Sequence, residues 1–299
     1  MGTVFTQVMT LFVFVSIGYV LGKSRICDLS HTKVLSKLLV YVFLPCNVFK
    51  TFSGNFTFSY IAGHYTLVIA GTVVLFCVLI FAYFVAKLFA REKYQRYLYE
   101  YSVIIPNFGY MGYALALDLF GEAGQINFMT FAIPFSIYIY SIGINILMKK
   151  SFKPKNLLQP VLIAMVLGIV VGLTNLRLPE ILTGTVYKAA QCMAPLSMIM
   201  TGLVTAERPL LNILKNKRVY PMLVLRLILM PLVVGGILQL FFAPAVVQAA
   251  VLFYALPCGI NTVVFPKMVD ENCEVGISLA LTSAALSCIT MPLILQLFS

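Results

Sequence analysis

The chain has 299 residues, 61% of them hydrophobic and 10% charged, with a mean hydropathy of +0.98 and a formal net charge of +11. No soluble domain hides that much apolar surface, so lipid is the solvent for most of this chain. Its seven cysteines stand singly with no CxxC pair, which argues against both a zinc site and a disulfide framework.

Ten apolar runs are long enough to span, at roughly 20 residues each. They are Val4–Leu21, Val34–Phe52, Tyr60–Phe89, Tyr97–Phe120, Ile126–Met148, Leu157–Leu173, Ile181–Thr205, Val219–Phe241, Ala245–Val269 and Val275–Phe298. Met1 to Gln7 carries no lysine or arginine, so the first run lacks the basic start of a signal peptide and reads as a retained helix. With no tryptophan present, tyrosine supplies the polar-tipped interface anchors.

The basic residues sort by loop. Lys23, Arg25, Lys33 and Lys37 lie around the first loop, and Lys87, Arg91, Lys93 and Arg96 around the third. The fifth has Lys149, Lys150, Lys153 and Lys155, the seventh Arg208, Lys215, Lys217 and Arg218, and the ninth Lys267. Only Lys50, Arg177 and Lys188 fall on the other side. This is the positive-inside pattern. It predicts extracytoplasmic termini and a multi-pass protein of the plasma (inner) membrane, and it accounts for the charge without nucleic acid.

Four landmarks recur at a nearly constant interval. Gly18 and Gly22 in the first run match Gly168 and Gly172 in the sixth, Pro45 matches Pro195, Pro106 matches Pro257, and Gly124 matches Gly276. The offsets are 150, 150, 151 and 152 residues. The chain therefore divides into residues 1–150 and 151–299, each with five spans. An odd number of spans per half forces the halves to lie upside down relative to each other. Inverted repeats with matched broken helices are a signature of secondary transporters. The GxxxG spacings of the first and sixth runs are read as close helix packing.

Two runs carry helix breakers at their centres. The fourth contains Pro106-Asn107-Phe108-Gly109-Tyr110-Met111-Gly112, and the ninth contains Pro257-Cys258-Gly259-Ile260-Asn261. Proline removes a donor and clashes with the preceding turn, while glycine permits unusual backbone angles. A break at membrane depth frees carbonyls on one half-helix and N–H groups on the other, and these persist only against protein or water. The N-terminal ends suit an anion. Asn107 and Asn261 are placed to cap the restarting helices and to offer a donor and an acceptor to a guest. Simple proline kinks are the bland alternative for each break taken alone.

Ionisable groups at depth are costly. Glu100, six residues before Pro106, is a candidate coupling group, the cap of a watery vestibule or the partner of Arg96. Arg226 is a candidate contact for an anionic cargo, or the donor in a structural ion pair or in hydrogen bonds to carbonyls. Asp118 and Asp270 read as helix-end residues. Asn47 and Ser197, beside the matched prolines 45 and 195, are candidates for cargo contact or for interhelical hydrogen bonds. His31 and His64 are the only histidines. With no nucleophile–base pair, metal cluster or phosphate loop in the sequence, neither enzymatic chemistry nor a cofactor is expected.

At the two broken runs the sequence resembles the auxin efflux carrier (PIN-like) family. The similarity is carried by Pro106-Asn107-x-x-x-Met111-Gly112, by Ala255-Leu256-Pro257-x-Gly259-Ile260-Asn261 with Val264-Phe265-x-Lys267, and by Thr290-Met291-Pro292-Leu293. It covers essentially the whole chain. It implies an all-α membrane protein of ten transmembrane helices in two inverted five-helix repeats, with broken crossover helices 4 and 9. It also implies a scaffold of helices 1, 2, 6 and 7, an elevator-like transport part of helices 3–5 and 8–10, a possible homodimer, and small organic anions as cargo. The short fifth loop favours the prokaryotic branch, which is associated with mono- and dicarboxylates, over auxin itself.

The resulting expectation is a secondary transporter whose site comprises Pro106, Asn107, Gly109, Pro257, Cys258, Gly259 and Asn261, with Asn47, Ser197 and Arg226 nearby. The rivals are a sodium-coupled organic-anion symporter of the bile-acid type and a membrane sensor that binds a ligand without moving it.

Overall fold

The structure, a computed structural model, describes residues 2–27, 29–149, 158–206, 216–267, 269, 271–272 and 274–298. Lys150, Lys153, Lys155, Arg208, Lys215 and Asp270, all weighed above, lie outside these, as does the junction between the proposed halves. Every named element among the described residues is helical, and the one β-type feature is an isolated antiparallel bridge between Pro106 and Cys258.

Helix α1 covers Gly2–Lys23. α2 (Leu29–Leu38) runs through a π turn at Leu39–Phe43 into α3 (Leu44–Asn55), with Pro45 directly after the π turn. α4 (Phe58–Phe89) is capped by the Thr57 hydroxyl, which accepts from Tyr60 N–H at 3.2 Å. α5 (Lys93–Ile104) stops short of Pro106; a π turn at Phe108–Gly112 leads into α6 (Tyr113–Phe131), which is kinked at Gly121 with φ 68°. α7 (Ile133–Tyr138), a π turn (Ile139–Gly143) and α8 (Ile144–Leu147) follow.

The rest of the chain gives α9 (Pro160–Thr174), α10 (Glu180–Gln191), α11 (Met193–Ala206) and α12 (Tyr220–Val224). After a π turn at Leu225–Leu229 come α13 (Met230–Leu238), α14 (Pro244–Ala255), α15 (Asn261–Lys267) and α16 (Glu274–Leu297).

Among the described residues, five helical stretches are long and apolar enough to cross a bilayer: Val34–Asn55, Phe58–Phe89, Glu180–Ala206, Tyr220–Leu238 and Glu274–Leu297. The pair Phe108–Phe131 and Ile133–Leu147, bent by 50°, makes a sixth if taken as one span. Met9–Lys23, Pro160–Thr174 and Pro244–Ala255 are apolar but shorter.

α4 shows why lipid is required. Leu67, Ala70, Val74, Val78, Ala82 and Val85 form its buried stripe, at helical spacing. The opposite face is equally apolar yet exposed, with Phe76, Ile80 and Phe84 each more than 60% accessible. Water would penalise such a face by about 25 cal/mol for every Å² it wets.

The glycine spacings pack as expected, and reciprocally. A Cβ on Gly18 of α1 would lie 2.0 Å from Ile199 O of α11, and one on Gly202 of α11 would lie 2.0 Å from Val15 O of α1. A Cβ on Gly172 of α9 would lie 2.6 Å from Phe56 O and 2.7 Å from Phe52 O, at the end of α3. Two pairs of helices thus approach backbone to backbone, α1 with α11 and α9 with α3.

α14 is the hub of the buried core, with every residue from Ala249 to Leu256 at 4% exposure or less. The Phe253 ring gathers Phe108, Phe128, Phe131 and Phe135, with centroids 4.3–6.0 Å away.

Candidate functional site

The two breaks form where proline demands them. A residue preceding proline is pushed out of the helical region. Ile105 is accordingly extended (φ −117°, ψ 109°), as is Leu256 (φ −64°, ψ 151°), and each closes its half-helix. The freed backbones then meet. Pro106 and Cys258 pair in antiparallel fashion, and the Asn107 N–H donates to the Pro257 carbonyl at 2.8 Å. The Cys258 N–H donates to the Ser283 hydroxyl of α16 at 2.9 Å, and that hydroxyl donates to Ala280 O. The breaks therefore satisfy one another and borrow one side chain, as membrane burial requires.

The glycines serve space rather than unusual angles. Gly121 is the glycine with positive φ among the described residues, whereas those at the breaks are not of that kind. A Cβ on Gly259 would sit 3.4 Å from Pro106 O and 3.5 Å from Ile105 O, which is ordinary contact that an alanine could also make. A Cβ on Gly112 would meet Leu256 at 2.6 Å and Phe128 at 2.9 Å.

The capping role expected of Asn107 is not realised: its side chain makes no cap hydrogen bond, and its backbone carbonyl instead accepts from Met111 and Gly112 N–H, both at 3.1 Å. The Asn107 Oδ1 atom is buried with no hydrogen-bond partner. The Asn261 amide donates to the Tyr101 hydroxyl at 2.9 Å, tying the residue after the second break to the half-helix before the first. Gly109 and Asn261 are partly buried, whereas residues 101–108 and 251–260 are all buried. The crossing thus opens at these two positions. The first turn after Asn107 presents N–H groups that have no acceptor within the helix.

The other predicted residues have the following surroundings. Leu44 of α3 is the nearest neighbour a Cβ on Gly109 would have, at 3.9 Å, and α11 packs on the same turn. Asn47 is buried with an unpartnered Nδ2, and the Ser197 hydroxyl donates to Ala194 O in its own helix at 2.8 Å. Glu100 accepts from Arg96 Nε at 2.8 Å, and Arg96 lies 4.2 Å from the centre of the Tyr83 ring. Asp118 is exposed near the Gly121 kink. His64 stacks on Tyr60 and Lys50 lies over Tyr187.

Arg226 is fully buried. Its Nε donates to Ser102 O at 3.1 Å and its Nη1 to Tyr254 O at 2.5 Å, so it takes the carbonyl bonds that the sequence left as one of its options.

Sequence reasoning missed Ser283 and Tyr101. A serine in an apolar helix and one tyrosine among several carry no local mark of their partners. Thr51 and Gln125 were missed for the same reason; they link α3 to α6 at 3.3 Å, while Gln125 also donates to Tyr113 O at 2.9 Å.

Apolar helices with lipid-facing sides, interrupted where polar backbone is shielded by protein, define a multi-pass membrane protein of the transporter class. The chain matches the membrane transport protein family over residues 3–155 and 146–295 and belongs to it, in agreement with the resemblance to auxin efflux carriers. Over 121 residues it is 30% identical to the uncharacterized transporter MJ1031 of Methanocaldococcus jannaschii; the match spans 39% of this chain and 38% of that relative. The protein is thus a multi-pass member of that family.

Proposed function

We propose that this transporter carries small organic anions, mono- or dicarboxylates, through a site at the crossing of the two broken helices. The supporting observation is the meeting of the breaks at Pro106–Asn107 and Pro257–Cys258, with Gly109 and Asn261 open beside them. A carboxylate there accepts from the free N–H groups that open the helix after Asn107, helped by that helix's positive dipole end. The side chains of Asn107 and Asn261 fix its orientation. Asn47 and Ser197 flank the site from the neighbouring helices, and Glu100 is the candidate for coupling to protons.

The reading includes ten spans as two inverted repeats, 1–150 and 151–299, in the inner membrane with both termini outside. The reciprocal glycine contacts support it, because first-with-seventh and sixth-with-second packing is what an inverted duplication generates. In an elevator motion α1, α2, α3, α9, α10 and α11 are the scaffold. The crossing rides with the remaining helices and slides where Gly109 meets Leu44.

The test is uptake of radiolabelled malonate and malate by proteoliposomes. The wild type concentrates label in at least one case, and Asn107→Ala combined with Asn261→Ala lowers initial uptake by about tenfold or more, the effect of losing about 1.4 kcal/mol of binding. Absence of uptake for a panel of small carboxylates, or full uptake by the double variant, refutes the proposal.

A further inference from the structure

Arg226 is the largest fully buried side chain in the described structure, and no carboxylate among the described residues pairs with it. Its bonds go to backbone. Ser102 lies in the last turn of α5 and Tyr254 in the last turn of α14, so one guanidinium holds the C-terminal ends of both half-helices that run into the crossing. The Tyr254 ring lies 5.0 Å from the guanidinium carbon. Arg226 itself sits in the π turn Leu225–Leu229, a widened turn of the kind that often marks a functional position.

The charges balance without an acid. A helix C-terminus carries the equivalent of about −0.5 elementary charge, so two of them present about −1, which one guanidinium offsets. A rigid fork of donors is also suited to two acceptors on different helices, whereas an ammonium is a point charge on a flexible stem. A lone cation at this depth is otherwise expensive.

We propose that Arg226 is a positioning residue, a clasp that joins the two interrupted helices into one body and holds their breaks in register. The inference stands on these contacts and is independent of what the protein carries. It predicts that the two breaks loosen together when the clasp is removed, although they lie about 150 residues apart in the chain.

Hydrogen exchange of the purified full-length protein in nanodiscs, read by mass spectrometry, tests this without any ligand. The reporters are the peptides holding Asn107 N–H and Cys258 N–H; peptides from the α1–α11 contact are the control. In Arg226→Met, exchange rises by about tenfold or more at both breaks, as expected on losing two hydrogen bonds to a charged group, and the control peptides keep wild-type rates. Wild-type exchange at either break, or an equal rise in the controls, overturns the clasp. Arg226→Lys keeps the charge and loses the fork, and it serves should the methionine variant fail to fold. Both breaks then loosen together but by less than in Arg226→Met. Wild-type exchange in the lysine variant overturns the role of the fork.

Discussion

The close approach of α1 and α11 gives a prediction whose size can be worked from coordinates. Gly18→Ala places a methyl carbon 2.0 Å from Ile199 O, 2.8 Å from its carbonyl carbon and 2.9 Å from its Cα. All three atoms are backbone, so no side chain can swing away. Ordinary contact begins near 3.4 Å, and the helices must separate locally by about 1.4 Å. That separation also loosens Gly202, whose own Cβ position is 2.0 Å from Val15 O on the opposing helix. Overpacking of this kind costs about 1–3 kcal/mol, against which the better helix propensity of alanine returns up to about 1. A net loss of about 1–2 kcal/mol lowers Tm by several degrees, at about 2–4 °C per kcal/mol for a chain of this size. Gly184→Ala is the matched control: it sits inside α10 with nothing within 4 Å of the added carbon, and it should leave Tm unchanged or raise it. The assay is helical circular dichroism against temperature in one detergent. A Gly18→Ala protein melting within a degree of wild type, or a Gly184→Ala protein falling as far, refutes the packing reasoning.

Three further outcomes follow from the site. Ser283→Ala strands the buried Cys258 N–H and lowers stability by about 1–3 kcal/mol, whereas Ser287→Ala, whose hydroxyl bonds Ala284 O in its own helix, changes it by less than half as much; equal melting points for the two variants count against the role of Ser283. Tyr101→Phe frees the Asn261 amide and raises the malonate concentration for half-maximal uptake by roughly threefold to tenfold, equivalent to about 0.7–1.4 kcal/mol; an unchanged value means Asn261 is oriented by something else. Glu100→Gln removes a partly exposed i,i+4 pair and costs under about 1 kcal/mol in melting experiments, yet it abolishes the response of uptake to an imposed pH gradient; a retained response eliminates Glu100 as the coupling group.

How much of this was legible in the sequence depended on whether the cause was local. Proline dictates the conformation of the residue before it, so the interruptions at Ile105 and Leu256 could be placed from composition alone. Glycine at every fourth position requires only that some helix come close, and the sequence did not say which; α11 for α1 and α3 for α9 emerged from the fold. Asn107 shows where a local rule yields. A capping asparagine competes with whatever else its backbone is asked to do, and at φ −77°, ψ 49° the chain is committed to donating its N–H to Pro257 O and presenting its carbonyl to the π turn. The glycines at the breaks do not adopt positive φ; Gly112 instead makes room for the Leu256 and Phe128 side chains.

The sequence offered carbonyl bonds as an option for Arg226 but not which carbonyls, and the reason is general. A carbonyl acceptor belongs to every residue, so a cation whose partners are Ser102 O and Tyr254 O leaves no complementary letter in the sequence. An acid at the same depth would have been found at once, but it would have neutralised the arginine and left the two helix ends uncompensated. Using the helix ends themselves as the counter-charge removes the need for a buried carboxylate, which would repel the anionic cargo proposed above. On the proposed reading the crossing is then divided by sign: one carbonyl at each helix end is held by a cation built into the protein, and the N–H groups after Asn107 remain for a negative guest.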